Sequence, residues 1–212
     1  MSKEQSVIKY YVLCNKLKNV IRTGWKDWNV EADRLESVAE HIFGVQMLAL
    51  SMYSEYQYDI DIFKVIMMLS LHELEEIYIG DLTLFEISKE DKKRIGHEAI
   101  EKVLDGLVLK DDIRKLILEF DERKTKEAIF AYSCDKLECD IQCKIYDENR
   151  YVNLEKQQDN KTYINNEVQE LLNKGMSWSE MWLTFGQNRY NYDDNFLSVS
   201  NYVKKNKITK NI

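Results

Sequence analysis

The sequence predicts an all-helical protein, and three observations predict it. Proline is absent from the 212 residues and glycine occurs only seven times, whereas strands joined by tight turns draw heavily on both. Apolar residues recur at three- and four-residue spacing along most of the chain. Two capping boxes, Ser37-Val-Ala-Glu40 and Ser177-Trp-Ser-Glu180, mark helix starts, because the hydroxyl and the glutamate each satisfy an N–H that the helix leaves open.

The elements follow in order. Glu4 to about Ile21 predicts a first helix, with Ile8, Tyr11, Val12, Leu17 and Val20 as its apolar stripe. The polar stretch 22–34, RTGWKDWNVEADR, reads as an ordered loop. A second helix runs from Ser37 to about Tyr56, with Val38, His41, Val45, Leu48 and Met52 on one face, and a third from about Asp61 to Tyr78, ending before Gly80. Ser88 caps a fourth helix to about Leu107; Asp111–Glu122 is a short fifth; Lys124–Tyr151 is a long sixth. Weaker patterns place helices near Asn160–Asn173, after the Ser177 box, and near Asn191–Val203. No repeat, low-complexity linker or composition break divides residues 1–203, so one domain is expected: a core over about 8–150, C-terminal helices over 155–203, and a basic, frayed tail at 204–212.

Composition bounds the partners. A net charge of −7 excludes general binding to nucleic-acid polymers or anionic membrane surfaces, which needs a basic face. No run of eighteen apolar residues exists to span a bilayer. Charge and polarity interrupt MSKEQSVIKYY, so it does not read as a signal peptide, and a cytoplasmic location is expected. The four cysteines, Cys14, Cys134, Cys139 and Cys143, read as small buried hydrophobes. Cys139 and Cys143 share a helix face, but no second pair or nearby histidine completes a tetrahedral site.

The chemistry concentrates in residues 65–88, VIMMLSLHELEEIYIGDLTLFEIS, which hold Glu73, Glu75, Glu76, Asp81 and Glu86 and no lysine or arginine. Carboxylates gathered among apolar residues repel one another and lose hydration unless a cation neutralises them. That cation comes from a distant segment or from a bound metal. His72 at the head of the cluster favours the metal, since imidazole with carboxylate suits divalent transition ions.

His41 lies on the apolar face of its helix, where a lone histidine is more often a hydrogen-bonded core residue. A second inward histidine on the neighbouring helix changes that, because helical bundles build metal sites from facing side chains. Glu76 lies one turn beyond His72 and is placed to take a proton from water; its neighbour Glu75, about 100° away, is assigned to solvent. Asp135 has the small neighbours Ala128, Ala131 and Cys139 on its helix face. It offers a carboxylate to a central site or pairs with Lys136, and Asp140 is an equal candidate by chemistry alone. Lys92, Lys93 and Arg94 read as a solvated face.

Four segments occur in order: Arg22-Thr-Gly-Trp25, Glu36-Ser-Val-Ala-Glu-His41, Leu71-His-Glu-Leu-Glu-Glu76 with Gly80-Asp81, and Cys134-Asp-Lys-Leu137. Together they resemble the HD-domain phosphohydrolases, in the branch of the 5′-deoxynucleotidases, over about residues 8–150. The resemblance implies an HD-domain helical bundle holding one divalent ion (Mn, Co, Fe, Ni or Zn) through His41, His72, Glu73 and Asp135. It implies Glu76 and Asp81 as catalytic residues, and Arg22, Trp25, Asp81 and Thr83 as contacts to a nucleoside 5′-monophosphate, in a homodimer. A loop tryptophan such as Trp25 is as often a core plug as a ligand contact. One position departs from the family: its aspartate after the second histidine is Glu73 here, one methylene longer.

Overall fold

The computed structural model describes residues 1–83 and 87–210, with Lys89 described by its backbone. Glu86 and the last two residues of the tail therefore lie outside the described residues. The helices in chain order are α1 (Lys3–Cys14), α2 (Thr23–Asp27), α3 (Val38–Tyr56), α4 (Ile62–Leu71), α5 (Glu76–Ile79), α6 (Lys89–Leu104), α7 (Lys110–Glu122), α8 (Lys126–Glu148), α9 (Asn166–Asn173), α10 (Trp178–Arg189) and α11 (Asp194–Lys205). Among the described residues no strand forms, and one isolated antiparallel bridge joins Ile21 to Ser37.

Caps set most boundaries as the sequence predicts. Ser37 accepts the Glu40 N–H while the Glu40 carboxylate accepts that of Ser37, and the Ser177–Glu180 box closes in the same way. Asp61 accepts from the N–H groups of Phe63 and Lys64 at 3.0 and 3.1 Å. Each such cap stabilises its helix by about 1 kcal/mol.

The chain clusters into two compact units, Met1–Thr23 with Glu36–Tyr132, and Gly24–Leu35 with Ser133–Ile212. In the first, α3 and α4 pack as neighbours, tied by Gln46 Nε2 donating to Ser70 Oγ at 2.7 Å. Its core gathers Leu17, Val38, Leu71, Leu74, Ile77, Ile100, Val103 and Ile117. In the second, Trp25, Trp28, Trp178 and Met181 build an aromatic core with Tyr146, Val168 and Leu171. The fully buried Gln157 belongs to it and donates to the Trp28 carbonyl at 2.9 Å.

Three expectations about elements need correction. Residues 61–78 are not one helix: α4 ends at Leu71 and a turn precedes α5. The His72 ring takes the Leu69 carbonyl at 2.8 Å, the group an uninterrupted helix would offer to the Glu73 N–H, and such local side-chain bonds compete with helix. The apolar stripe of the first helix is buried only at its end: Ile8, Tyr11 and Val12 are exposed, while Leu17 enters the core and Val20 packs against it. There α1 stops at Cys14 and a 3₁₀ turn over Asn15–Asn19 follows; its tighter winding resets the helical phase, so that Leu17 alone of that turn faces the core. The loop 22–34 contains the short α2.

A candidate metal and phosphate site

The site in the first unit is built from three chain segments. Val20 to Arg22 runs beside the start of α3: Val38 N–H donates to the Val20 carbonyl at 2.8 Å and Arg22 N–H to the Glu36 carbonyl at 3.0 Å. This pairing fixes the root of the Arg22 side chain against the helix that carries His41. The α4–α5 turn supplies His72 and Glu73, and α5 supplies Glu76.

His41 is fully buried and His72 is 6% exposed, with ring centroids 5.5 Å apart. The His72 ring also packs edge-on to Phe120. Its Nδ1 faces the Leu69 carbonyl; a carbonyl only accepts, so Nδ1 carries the proton and a neutral ring presents the Nε2 lone pair, one of the two tautomers that bind metals. Glu73 Oε1 lies 3.8 Å from His41 Nε2 and 3.7 Å from His72 Nε2. One ligand atom from each of the three residues falls within 4.8 Å of the others. Two imidazole nitrogens and a carboxylate oxygen at that separation, largely buried, form a donor set that fits one divalent transition ion.

The same Glu73 oxygen accepts from Arg22 Nη1 at 3.2 Å, and Arg22 Nε stands 3.9 Å from Asp81 Oδ2. Asp81 in turn holds the segment that follows Arg22: its Oδ2 accepts the Thr23 N–H at 2.6 Å and its carbonyl accepts the Thr23 hydroxyl at 2.5 Å. Gly80 precedes it at φ +71°, a left-handed conformation that glycine adopts without strain. Thr83 follows two residues on and is half-buried.

Glu76 is 1% exposed, and its Oε2 has no hydrogen-bond partner among the described residues. Burial pushes its carboxyl well above the usual range, with the charges of Glu73 and Asp81 adding to the rise and Arg22 and Lys92 opposing it. Glu75 does not point to solvent as the sequence suggested. Its Oε2 is buried and its stem packs beside Gly96 of α6, because the turn after α4 resets the helical phase on which that assignment rested. Burial, with the Glu73 charge second, pushes its carboxyl up to about 8.

The remaining expected residues belong to the second unit. Asp135 is 3% exposed on α8 and its Oδ2 lies 2.8 Å from Lys136 Nζ. Asp140, the alternative, is fully engaged in the core: it accepts from the Tyr192 hydroxyl at 3.2 Å, and a Cβ at Gly186 would come within 2.6 Å of its Oδ2. Trp25 is 2% exposed and packs against Tyr146, Trp178 and Trp182 at centroid distances of 5.2–6.3 Å.

Two participants were missed from the sequence. Thr23 was not singled out although it lies inside the Arg22-Thr-Gly-Trp25 segment. Lys92 was assigned to a solvated face, yet its Nζ donates to the Leu82 carbonyl at 2.8 Å and stands 3.8 Å from Glu76 Oε1. Arg94 behaves as expected, exposed and paired with Asp91 and Glu98 on its own helix. Helical spacing within α6 carries no signal that distinguishes Lys92, because the groups it meets are ten and sixteen residues away.

Comparison with known proteins places the chain in a family. The HD domain family model matches residues 14–175. The chain is 33% identical over 150 residues to the 5′-deoxynucleotidase HDDC2 of Dictyostelium discoideum, covering 66% of this chain and 77% of that protein. It is 28% identical over 181 residues to the 5′-deoxynucleotidase hdd1 of Schizosaccharomyces pombe, covering 82% and 88%. Among solved structures, the PH0347 protein of Pyrococcus horikoshii superposes with a TM-score of 0.64 at 22% identity, over 93% of this chain and 98% of that one, a likeness of fold. With the buried histidine pair, its adjoining carboxylate and a family match that spans most of its length, the chain belongs to the HD domain family, in the branch of the 5′-deoxynucleotidases.

Proposed function

We propose that this protein removes the 5′-phosphate from nucleoside monophosphates, deoxy forms foremost, using one divalent ion (Mn, Co, Fe, Ni or Zn). The observation that carries the reading is Glu73 Oε1, which lies 3.7–3.8 Å from two buried imidazole nitrogens and 3.2 Å from an arginine. A metal-ligand set and a phosphate-binding guanidinium thus converge on one carboxylate. His41, His72 and Glu73 would hold the ion. Asp135 is the fourth ligand of this reading, on the order of the motifs and its buried carboxylate.

When bound, the ion supplies Lewis acidity and offsets phosphate charge. Arg22 forks onto the non-transferring phosphate oxygens, a geometry that a planar guanidinium suits better than an ammonium. Glu76 takes a proton from the attacking water through its buried carboxylate, whose Oε2 has no partner among the described residues. Asp81 anchors the Arg22–Thr23 backbone and, with Thr23 and Thr83, borders the place for the sugar.

The location consistent with this reading is the cytoplasm. All four cysteines are free thiols, as a reducing compartment keeps them. The oligomer is a homodimer. Phe43 and Met47 of α3 and Phe63 and Met67 of α4 leave large apolar side chains exposed on adjacent helices, the kind of surface that a second copy covers.

The reading is tested by metal content. Wild type reconstituted with Mn should hold one ion per chain, and His72→Ala should hold none. Full retention by the variant would remove His72 from the ligand set and the reading with it.

A further inference from the structure

Lys92 stands in the first turns of α6, a helix started by Ser88, whose hydroxyl accepts the Asp91 N–H at 3.1 Å. Its ammonium reaches back to two groups of the site. It donates to the carbonyl of Leu82, the residue after Asp81, at 2.8 Å, and it lies 3.8 Å from Glu76 Oε1. The lysine side chain is 27% exposed and the Glu76 side chain 1%. Glu76 Oε2 meets no donor among the described residues, and Lys92 stands at ion-pair distance from the other oxygen of this carboxylate. Arg22, the other cation acting on Glu76, is already engaged by Glu73 and Asp81.

An ammonium carries three hydrogens on one atom and can serve a carbonyl and a carboxylate together. With one hydrogen committed to a backbone carbonyl, the ammonium is fixed in place rather than free to follow a substrate phosphate. We infer that Lys92 is a positioning residue, which ties the Glu76 carboxylate to the carbonyl of Leu82, next to Asp81, so that the proton acceptor and the sugar-side aspartate keep one separation. The inference rests on the proposed phosphohydrolase reading, in which Glu76 takes the proton of water. Displacement of a positioned group by an ångström costs up to about 100-fold in rate, while binding of the substrate through Arg22 stays as it was.

The experiment is a double-mutant cycle on phosphate release from deoxyadenosine 5′-monophosphate with Mn supplied, using wild type, Lys92→Met, Lys92→Arg, Glu76→Gln and the Lys92→Met/Glu76→Gln double variant. Thermal melting and metal content accompany each protein. Lys92→Met should lower kcat roughly 10- to 100-fold with KM within about twofold, Lys92→Arg should recover most of the loss, and Lys92→Met should cost nothing further once Glu76 is glutamine. Unchanged kcat, a raised KM at unchanged kcat, or an equal loss in the Glu76→Gln background overturns the inference. Should Lys92→Met fail to fold, Lys92→Gln replaces it in the same cycle. A wild type that releases no phosphate sinks the phosphohydrolase reading, and this inference with it; an active wild type with additive variants sinks the inference alone.

Discussion

Arg22 Nη1 donates to Glu73 Oε1 at 3.2 Å, with both side chains only 14% exposed. Glu73 is the position at which the sequence departs from the pattern it resembles, and its carboxylate reaches the arginine as well as the two histidines. The longer acid is therefore bound into the site on two sides. A shortened side chain would retreat by about 1.5 Å, a single carbon–carbon bond, and lose the arginine first. Glu73→Asp should weaken Mn binding and raise KM for nucleoside monophosphates, read by metal titration and steady-state kinetics. Equal or tighter metal binding in Glu73→Asp would show a pocket still shaped for aspartate.

Glu76 is the proton acceptor of the proposed mechanism but lies outside the donor set of His41, His72 and Glu73. Glu76→Ala should keep one Mn per chain and lower kcat by roughly 10²–10⁴. An unchanged rate would transfer the role to another group, Asp81 first.

The fold was legible in the sequence because caps and apolar spacing act locally: Ser37, Asp61 and Ser177 all start helices as their neighbours dictate. Both histidines were legible because each lies on an apolar face with few competing polar groups. The break after α4 was not legible. It depends on the His72 ring meeting the Leu69 carbonyl, and rotamers do not show in residue spacing. That break explains why Glu75 faces inward rather than to solvent, and distance along the chain explains why Lys92 was misassigned: its partners belong to other elements.

Glu75 gives the metal-free protein a pH-dependent stability of definite sign. Its carboxyl is raised from 4.5 to about 8 in the folded state, so the folded protein holds its proton more tightly than the unfolded chain. The contribution is present in full below about pH 4.5 and is lost as pH rises through about 8. In the absence of metal, the Tm of wild type should fall across that window more steeply than the Tm of Glu75→Gln. Parallel curves would place the Glu75 carboxyl in water.

Trp25 is read as core rather than as a contact to the nucleotide base. Trp25→Ala should destabilise the protein by roughly 3–5 kcal/mol in denaturant unfolding, the range for removal of a large buried aromatic. A loss below about 1 kcal/mol, small against that range, accompanied by a large rise in KM would return the ring to the substrate.

The central claim is that His41, His72 and Glu73 hold an ion that serves phosphate-ester hydrolysis beside Arg22 and Glu76. It is tested most directly by released phosphate from a panel of ribo- and deoxynucleoside 5′-monophosphates, with metal-stripped wild type resupplied in turn with Mn, Co, Fe, Ni and Zn. The account predicts phosphate release with at least one of these ions, higher for deoxy substrates, and none from the stripped protein. No release from any monophosphate with any ion would contradict it.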